Sequence, residues 1–83
     1  MYYIYILLCQ DNSLYTGYTV DLKNRLKEHR EGKGSKYVRS RLPIKLIFKE
    51  KCLTKSKAMK REFFIKSLSR KEKIQVLKLD MNK

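Results

Sequence analysis

Soft metal ligands are scarce in this chain, which has two cysteines and one histidine, short of the four donors a structural zinc site requires. Cys9 and Cys52 each lie within apolar runs, so buried reduced thiols are expected. Long hydrophobic stretches are missing too. The apolar opening, Met1 to Cys9, has no basic segment before it and no small-residue cleavage site after it. It therefore reads as a strand, not as a signal peptide or membrane span. No helical stretch pairs a bulky apolar face with an all-basic one, so a membrane surface is not the expected partner. A cytoplasmic location is the default expectation. Acidic residues are also few: Asp and Glu number 8 against 21 Lys and Arg, giving a net charge of +13. Such an imbalance calls for a polyanionic partner, and nucleic acid is the foremost candidate.

With 83 residues, 42% of them hydrophobic, the chain suits one small folded domain with one core, spanning residues 1–83. Neither a repeat nor a linker interrupts it. Tyr2 to Cys9 is rich in aromatic and β-branched residues and apolar on both faces, as in a strand covered on both sides. Asp11-Asn12-Ser13 reads as a turn, and Leu14 to Thr19 as the return strand of a hairpin. If Cys9 lies across from Ser13, then Tyr3, Tyr5, Leu7 and Tyr15 share one face. Tyr5 and Tyr15 are then diagonal neighbours, roughly 7 to 8 Å apart. Asp21 is a natural N-cap, and Leu22, Leu26 and His29 follow at helical spacing until Gly32. Lys36 to Leu42 forms a short helical turn ended by Pro43, and Ile44 to Cys52 a third strand. Thr54 or Ser56 caps a helix to about Leu68, and the capping box from Ser69 to Glu72 starts a last helix through Ile74 and Leu77. The final residues are expected to fray. The predicted class is α+β: a three-stranded, mainly antiparallel sheet flanked by helices, in the order ββα(α)βαα.

Several polar residues stand out from this pattern. Glu62 falls on or beside the apolar stripe of its helix, between Ala58 and Ile65. A carboxylate turned inward needs a cation, supplied either by a neighbouring Arg or Lys or by a metal. Six tyrosines are largely accounted for by β-propensity and core volume. The phenols of Tyr5 and Tyr15 are the exception, because cationic neighbours would draw their pKa down from about 10 and let them relay a proton from water. Arg25 carries the planar five-donor group suited to a phosphate. His29, one helical turn on, is placed to bond a tyrosine or a leaving oxygen. Lys33, Lys36, Arg39 and Arg41, with Lys60 and Arg61, form the expected phosphate-binding surface. Tyr37, set among them, is either a base-stacking residue or part of the core.

The succession Tyr3-Ile4-Tyr5, Tyr15-Thr16-Gly17, Arg25, His29 and Glu62 resembles the GIY-YIG nuclease superfamily, in particular its small single-domain bacterial branch. The resemblance covers residues 2 to 75. Tyr3 replaces the glycine of the first motif, and Thr16 the isoleucine of the second. The resemblance implies hydrolysis of a nucleic-acid phosphodiester, DNA foremost, with one divalent cation, Mg2+ or Mn2+. It implies that Glu62 holds the metal, Arg25 steadies the phosphate, Tyr5 or Tyr15 activates the water and His29 assists that tyrosine. Gly17 would permit a close approach of its strand. Relatives that cut specific structures rely on appended domains, so a targeting protein partner is implied. The competing expectation is a catalytically idle basic module binding DNA or RNA. A protein-interaction domain would need an exposed apolar patch, and the sequence pattern displays none.

Overall fold

The computed structural model describes residues 1–79 and 81. Its elements are β1 (Tyr2–Cys9), β2 (Leu14–Thr19), α1 (Leu22–Arg30), α2 (Lys36–Arg39), β3 (Ile44–Cys52), α3 (Lys55–Ser67) and α4 (Arg70–Val76). The expected fraying of the chain end concerns residues 80, 82 and 83, which lie outside the described residues.

The three strands form an antiparallel sheet in the order β2-β1-β3. β1 is central because it alone is apolar on both faces. Ile4 and Ile6 pack with Cys52, Ala58 and Ile65 on one side, while Tyr5 and Leu7 pack with Leu26 and Val38 on the other. Each fully buried aliphatic side chain among them, such as Ile4, Ile6, Leu7, Val38 and Ile65, contributes about 1.5–3 kcal/mol by leaving water. The hairpin closes around Asn12, which adopts a positive φ of 71°, and the Cys9 N–H donates to Ser13 O at 2.9 Å. That loop sets the register, which pairs Tyr5 with Gly17 and Leu7 with Tyr15. Tyr5 and Tyr15 therefore share a face, as the even register requires.

Against β3 the register shifts between Ile6 and Leu7. The extra residue in β3 lets both Ile47 and Phe48 reach the Ile4/Ile6 side, which is why β3 alternates only in part.

Caps fix the helix starts. The Asp21 carboxylate accepts from the Asn24 N–H at 3.1 Å, and Thr54 Oγ1 from the Lys57 N–H at 3.2 Å. Ser69 and Glu72 close a capping box on α4. α1 ends where Gly32, at φ 78°, directs the Lys33 N–H back to Glu28 O at 2.8 Å. The short turn expected to reach Leu42 stops at Arg39, with Ser40 as its C-cap.

Candidate functional site

Tyr5 projects from the middle of β1 toward α1, where its hydroxyl meets His29 Nε2 at 2.8 Å. Tyr5 is 1% exposed and His29 is fully buried. The ring of Tyr5 lies across β2 directly over Gly17, because a Cβ there would stand 2.6 Å from Tyr5 Oη and 2.7 Å from Cζ. This is the close approach for which a glycine is needed inside a strand. Burial raises the Tyr5 pKa, and the charges of Tyr15 and Glu62 add to that effect while Arg25 beside the hydroxyl opposes it. The expected lowering is thus reversed. Burial of the ring outweighs the single guanidinium, and Tyr5 is a neutral phenol at neutral pH.

His29 is pushed the other way, first by burial and then by Arg25, with Glu28 opposing. A neutral imidazole bonded to a neutral phenol follows. Arg25 and His29 lie one helical turn apart on α1, and the structure separates their roles. His29 turns fully inward, while the Arg25 side chain stays 34% exposed. Arg25 donates through Nη1 to Glu28 Oε1 at 3.3 Å and through Nη2 to Gly34 O at 3.2 Å.

Gly34 closes the remaining side of His29. A Cβ at this position would fall 2.5 Å from His29 Nδ1, so only a glycine lets the loop lie so close. Nδ1 is buried and has no hydrogen-bond partner among the described residues, and the same is true of Thr16 Oγ1 on the opposite face of β2.

Tyr15 sits between this pair and a second aromatic layer. Its ring centroid is 6.3 Å from that of Tyr5 and 5.4 Å, edge-on, from that of His29. Its outer face is stacked on Tyr37 at 6.0 Å. The Arg41 guanidinium covers Tyr37 at 3.8 Å and is itself held by Asp11 at 2.9 Å. Tyr37, 39% exposed, is thus engaged by Tyr15 and Arg41 and supports the Tyr15 ring.

Glu62 occupies the half-buried side of α3. Its side chain is 22% exposed and pairs with Lys66 at 3.5 Å, one turn along. Its charge also reaches the Tyr5 phenol. Among the described residues no three His, Cys, Asp or Glu side chains come together, so no protein-only metal cage is built. A magnesium-type cation uses one or two carboxylates and completes its shell with water and phosphate oxygens. A lone, half-buried Glu62 fits that donor chemistry.

The six expected phosphate-binding residues divide into two groups. Lys36, Arg39 and Lys60 are exposed, and Lys33 is 73% exposed with Glu31 only loosely paired at 3.8 Å. Arg41 is held by Asp11. Arg61 makes two bonds to Glu50, at 2.8 and 3.2 Å. An apolar patch that the sequence pattern hid is also present: Met59, Phe63 and Phe64 lie exposed on α3.

Comparison with known proteins identifies the family. The family described as the GIY-YIG catalytic domain matches residues 1–75. A UPF0213 protein of Staphylococcus haemolyticus is 46% identical over 76 residues, covering 92% of this chain and 93% of that protein. A UPF0213 protein of Bacillus velezensis is 53% identical, covering 92% and 77%. Among solved structures, the solution structure of a UPF0213 protein from Bacillus halodurans aligns with a TM-score of 0.62 at 46% identity, covering 94% of this chain and 84% of that one. A solution structure of an E. faecalis protein aligns with a TM-score of 0.67 at 48% identity, covering 93% and 82%. Membership in a nuclease-domain family implies nucleic-acid binding and an endonuclease-type activity. With two tyrosine motifs on one hairpin, a buried Tyr5–His29 pair and a match over nearly the whole chain, this protein belongs to the GIY-YIG family, alongside the UPF0213 proteins.

Proposed function

We propose that the chain hydrolyses phosphodiester bonds of nucleic acid, DNA foremost, by passing a proton from water through Tyr5 to His29. The observation that carries this reading is the buried 2.8 Å bond between Tyr5 Oη and His29 Nε2. A phenol with a raised pKa is not a standing base, yet it can relay a proton. As an attacking water gives a proton to Tyr5 Oη, the phenol's own proton moves to the neutral imidazole at Nε2. Attack at phosphorus then breaks the bond to the leaving oxygen, which departs with the bonding electron pair and takes a proton from solvent water, and His29 returns its proton to solvent through Tyr5. Arg25, tied to Gly34 and Glu28, keeps its guanidinium beside the hydroxyl for the charge growing on the phosphate. Glu62 would hold one Mg2+ or Mn2+, which supplies positive charge to the phosphate oxygens. Lys33, Lys36, Arg39 and Lys60 supply contacts to the phosphate backbone, which carry no sequence preference.

A second reading, an idle basic binding module, draws on the Lys66 ammonium 3.5 Å from Glu62, which already neutralises the carboxylate assigned to the metal. Incubation with single-stranded, branched and duplex DNA in magnesium or manganese separates the two. Cleavage is expected from the parent chain and is lost in Glu62→Gln and Arg25→Ala. Cleavage surviving both substitutions would sink the site assignment. Binding by all three proteins without cleavage supports the module.

A further inference from the structure

α3 turns Ala58 and Ile65 into the core and leaves Phe63 78% exposed and Met59 49% exposed. Residues four apart share a helix face, so these two form one apolar strip. Phe64, the next residue, is partly covered by the Arg61 guanidinium at 5.4 Å. Phe63 has no aromatic or cationic partner among the described residues. Tyr37 is stacked on Tyr15 and covered by Arg41, whereas Phe63, at 78%, is the most exposed aromatic ring among the described residues.

The surroundings select its occupant. α3 carries Lys55, Lys57, Lys60, Arg61 and Lys66 against the single acid Glu62, and the whole chain is at +13. Lysines around an exposed ring are the arrangement that holds a single strand, with ammonium groups on the phosphates and the ring on a base face. In a duplex each base face is already stacked on its neighbours, so the ring can take only a base that has left the stack. Phe63 shares α3 with Glu62, so a strand held along this helix passes the carboxylate assigned to the metal. We infer that the Met59–Phe63 strip of α3 is a stacking surface for unpaired nucleobases, and that the substrate is single-stranded or locally unpaired nucleic acid at the cut. This deepens the proposed function and rests on its nucleic-acid part.

The chain has no tryptophan, so Phe63→Trp introduces a sole indole reporter on the strip. With divalent cations chelated, its fluorescence is titrated with oligothymidylate and with a blunt duplex of equal length. Strong quenching by the single strand and several-fold weaker quenching by the duplex are expected. In parallel, Phe63→Ala should weaken single-strand binding about tenfold and leave duplex binding and the thermal midpoint unchanged. Binding of oligothymidylate without quenching, equal quenching by both nucleic acids, or unchanged single-strand affinity in Phe63→Ala would overturn the inference. So would a dimer of the parent chain that Phe63→Ala dissociates, because the strip would then belong to a second copy. The two failures are distinguishable. Cleavage by the parent chain without quenching removes the stacking surface and leaves the nuclease reading, whereas quenching without cleavage removes the nuclease reading and leaves the surface.

Discussion

At Gly34 a methyl group would stand 2.5 Å from His29 Nδ1 and 2.8 Å from Cε1, well inside van der Waals separation. The same residue's carbonyl holds Arg25 at 3.2 Å, so one backbone unit positions both side chains. Gly34→Ala is expected to tilt the His29 ring and lengthen its bond to Tyr5, lowering kcat by about 10²-fold with the fold retained. Full activity, together with unchanged ring-nitrogen chemical shifts of His29, would refute this role. His29 also makes stability depend on pH, with a definite sign. Its pKa lies below the ordinary 6.5 in the folded state because burial and Arg25 disfavour the cation. Below that pH the unfolded chain takes up a proton that the folded chain does not, so the unfolded state binds more protons and stability falls as pH drops. Denaturant unfolding should therefore show stability flat above 6.5 and declining on the acid side of it. In His29→Asn that part of the slope should vanish, and a slope equal to the parent's would assign it to the carboxylates instead.

Among the elements, β1 and the hairpin were the most legible from sequence, because their signals are local. A central strand needs apolar residues on both faces, and the Asp11-Asn12-Ser13 loop sets the register that brings Tyr5 over Gly17. Helix starts were legible for the same reason, since Asp21, Thr54 and Ser69 each cap with their own side chains. The bulge in β3 was not. It depends on Ile47 and Phe48 both finding room on the Ile4/Ile6 side, which is a property of tertiary packing. Within the site, the spacing of Arg25 and His29 placed them on one helix, whereas the closure by Gly34 and the stacking of Tyr37 on Tyr15 come from a connection with no periodicity to read. Glu62 was legible as an inward carboxylate, and the i,i+4 spacing of Glu62 and Lys66 marked the lysine that pairs with it at 3.5 Å. The exposure of Phe63 escaped notice because the Ala58–Ile65 stripe satisfied the amphipathic pattern by itself. α3 offers a test at this scale, since it both packs on β1 and presents Glu62. Thr54→Ala removes its N-cap and should cost about 1 kcal/mol of global stability, measured by urea unfolding. A loss confined to α3 amides in hydrogen exchange, with no change in the global midpoint, would show that α3 frays independently of the sheet.

The whole molecule carries a charge of +13, yet its cations are not equivalent on the folded surface. Arg41 and Arg61 are held by Asp11 and Glu50, so using either on a phosphate first requires breaking an ion pair. Lys36, Arg39 and Lys60 have no such partner among the described residues, and the 3.8 Å pair of Lys33 with Glu31 is exposed. Each cation that neutralises a phosphate releases condensed counterions, and each such contact contributes about −0.7 to the slope of log K against log salt for a single strand. Alanine at Lys36, Arg39 or Lys60 should therefore flatten that slope by nearly one contact apiece, with little effect on thermal stability. Arg61→Ala should do the reverse, leaving the slope nearly intact while exposing Glu50 and lowering the unfolding midpoint. Titrations of oligothymidylate at four or five salt concentrations, with a melting curve for each variant, distinguish the two classes. If Arg61→Ala changed the slope as much as Lys60→Ala did, the Glu50 pair would have opened on binding. The division between structural and substrate-facing cations would then fail.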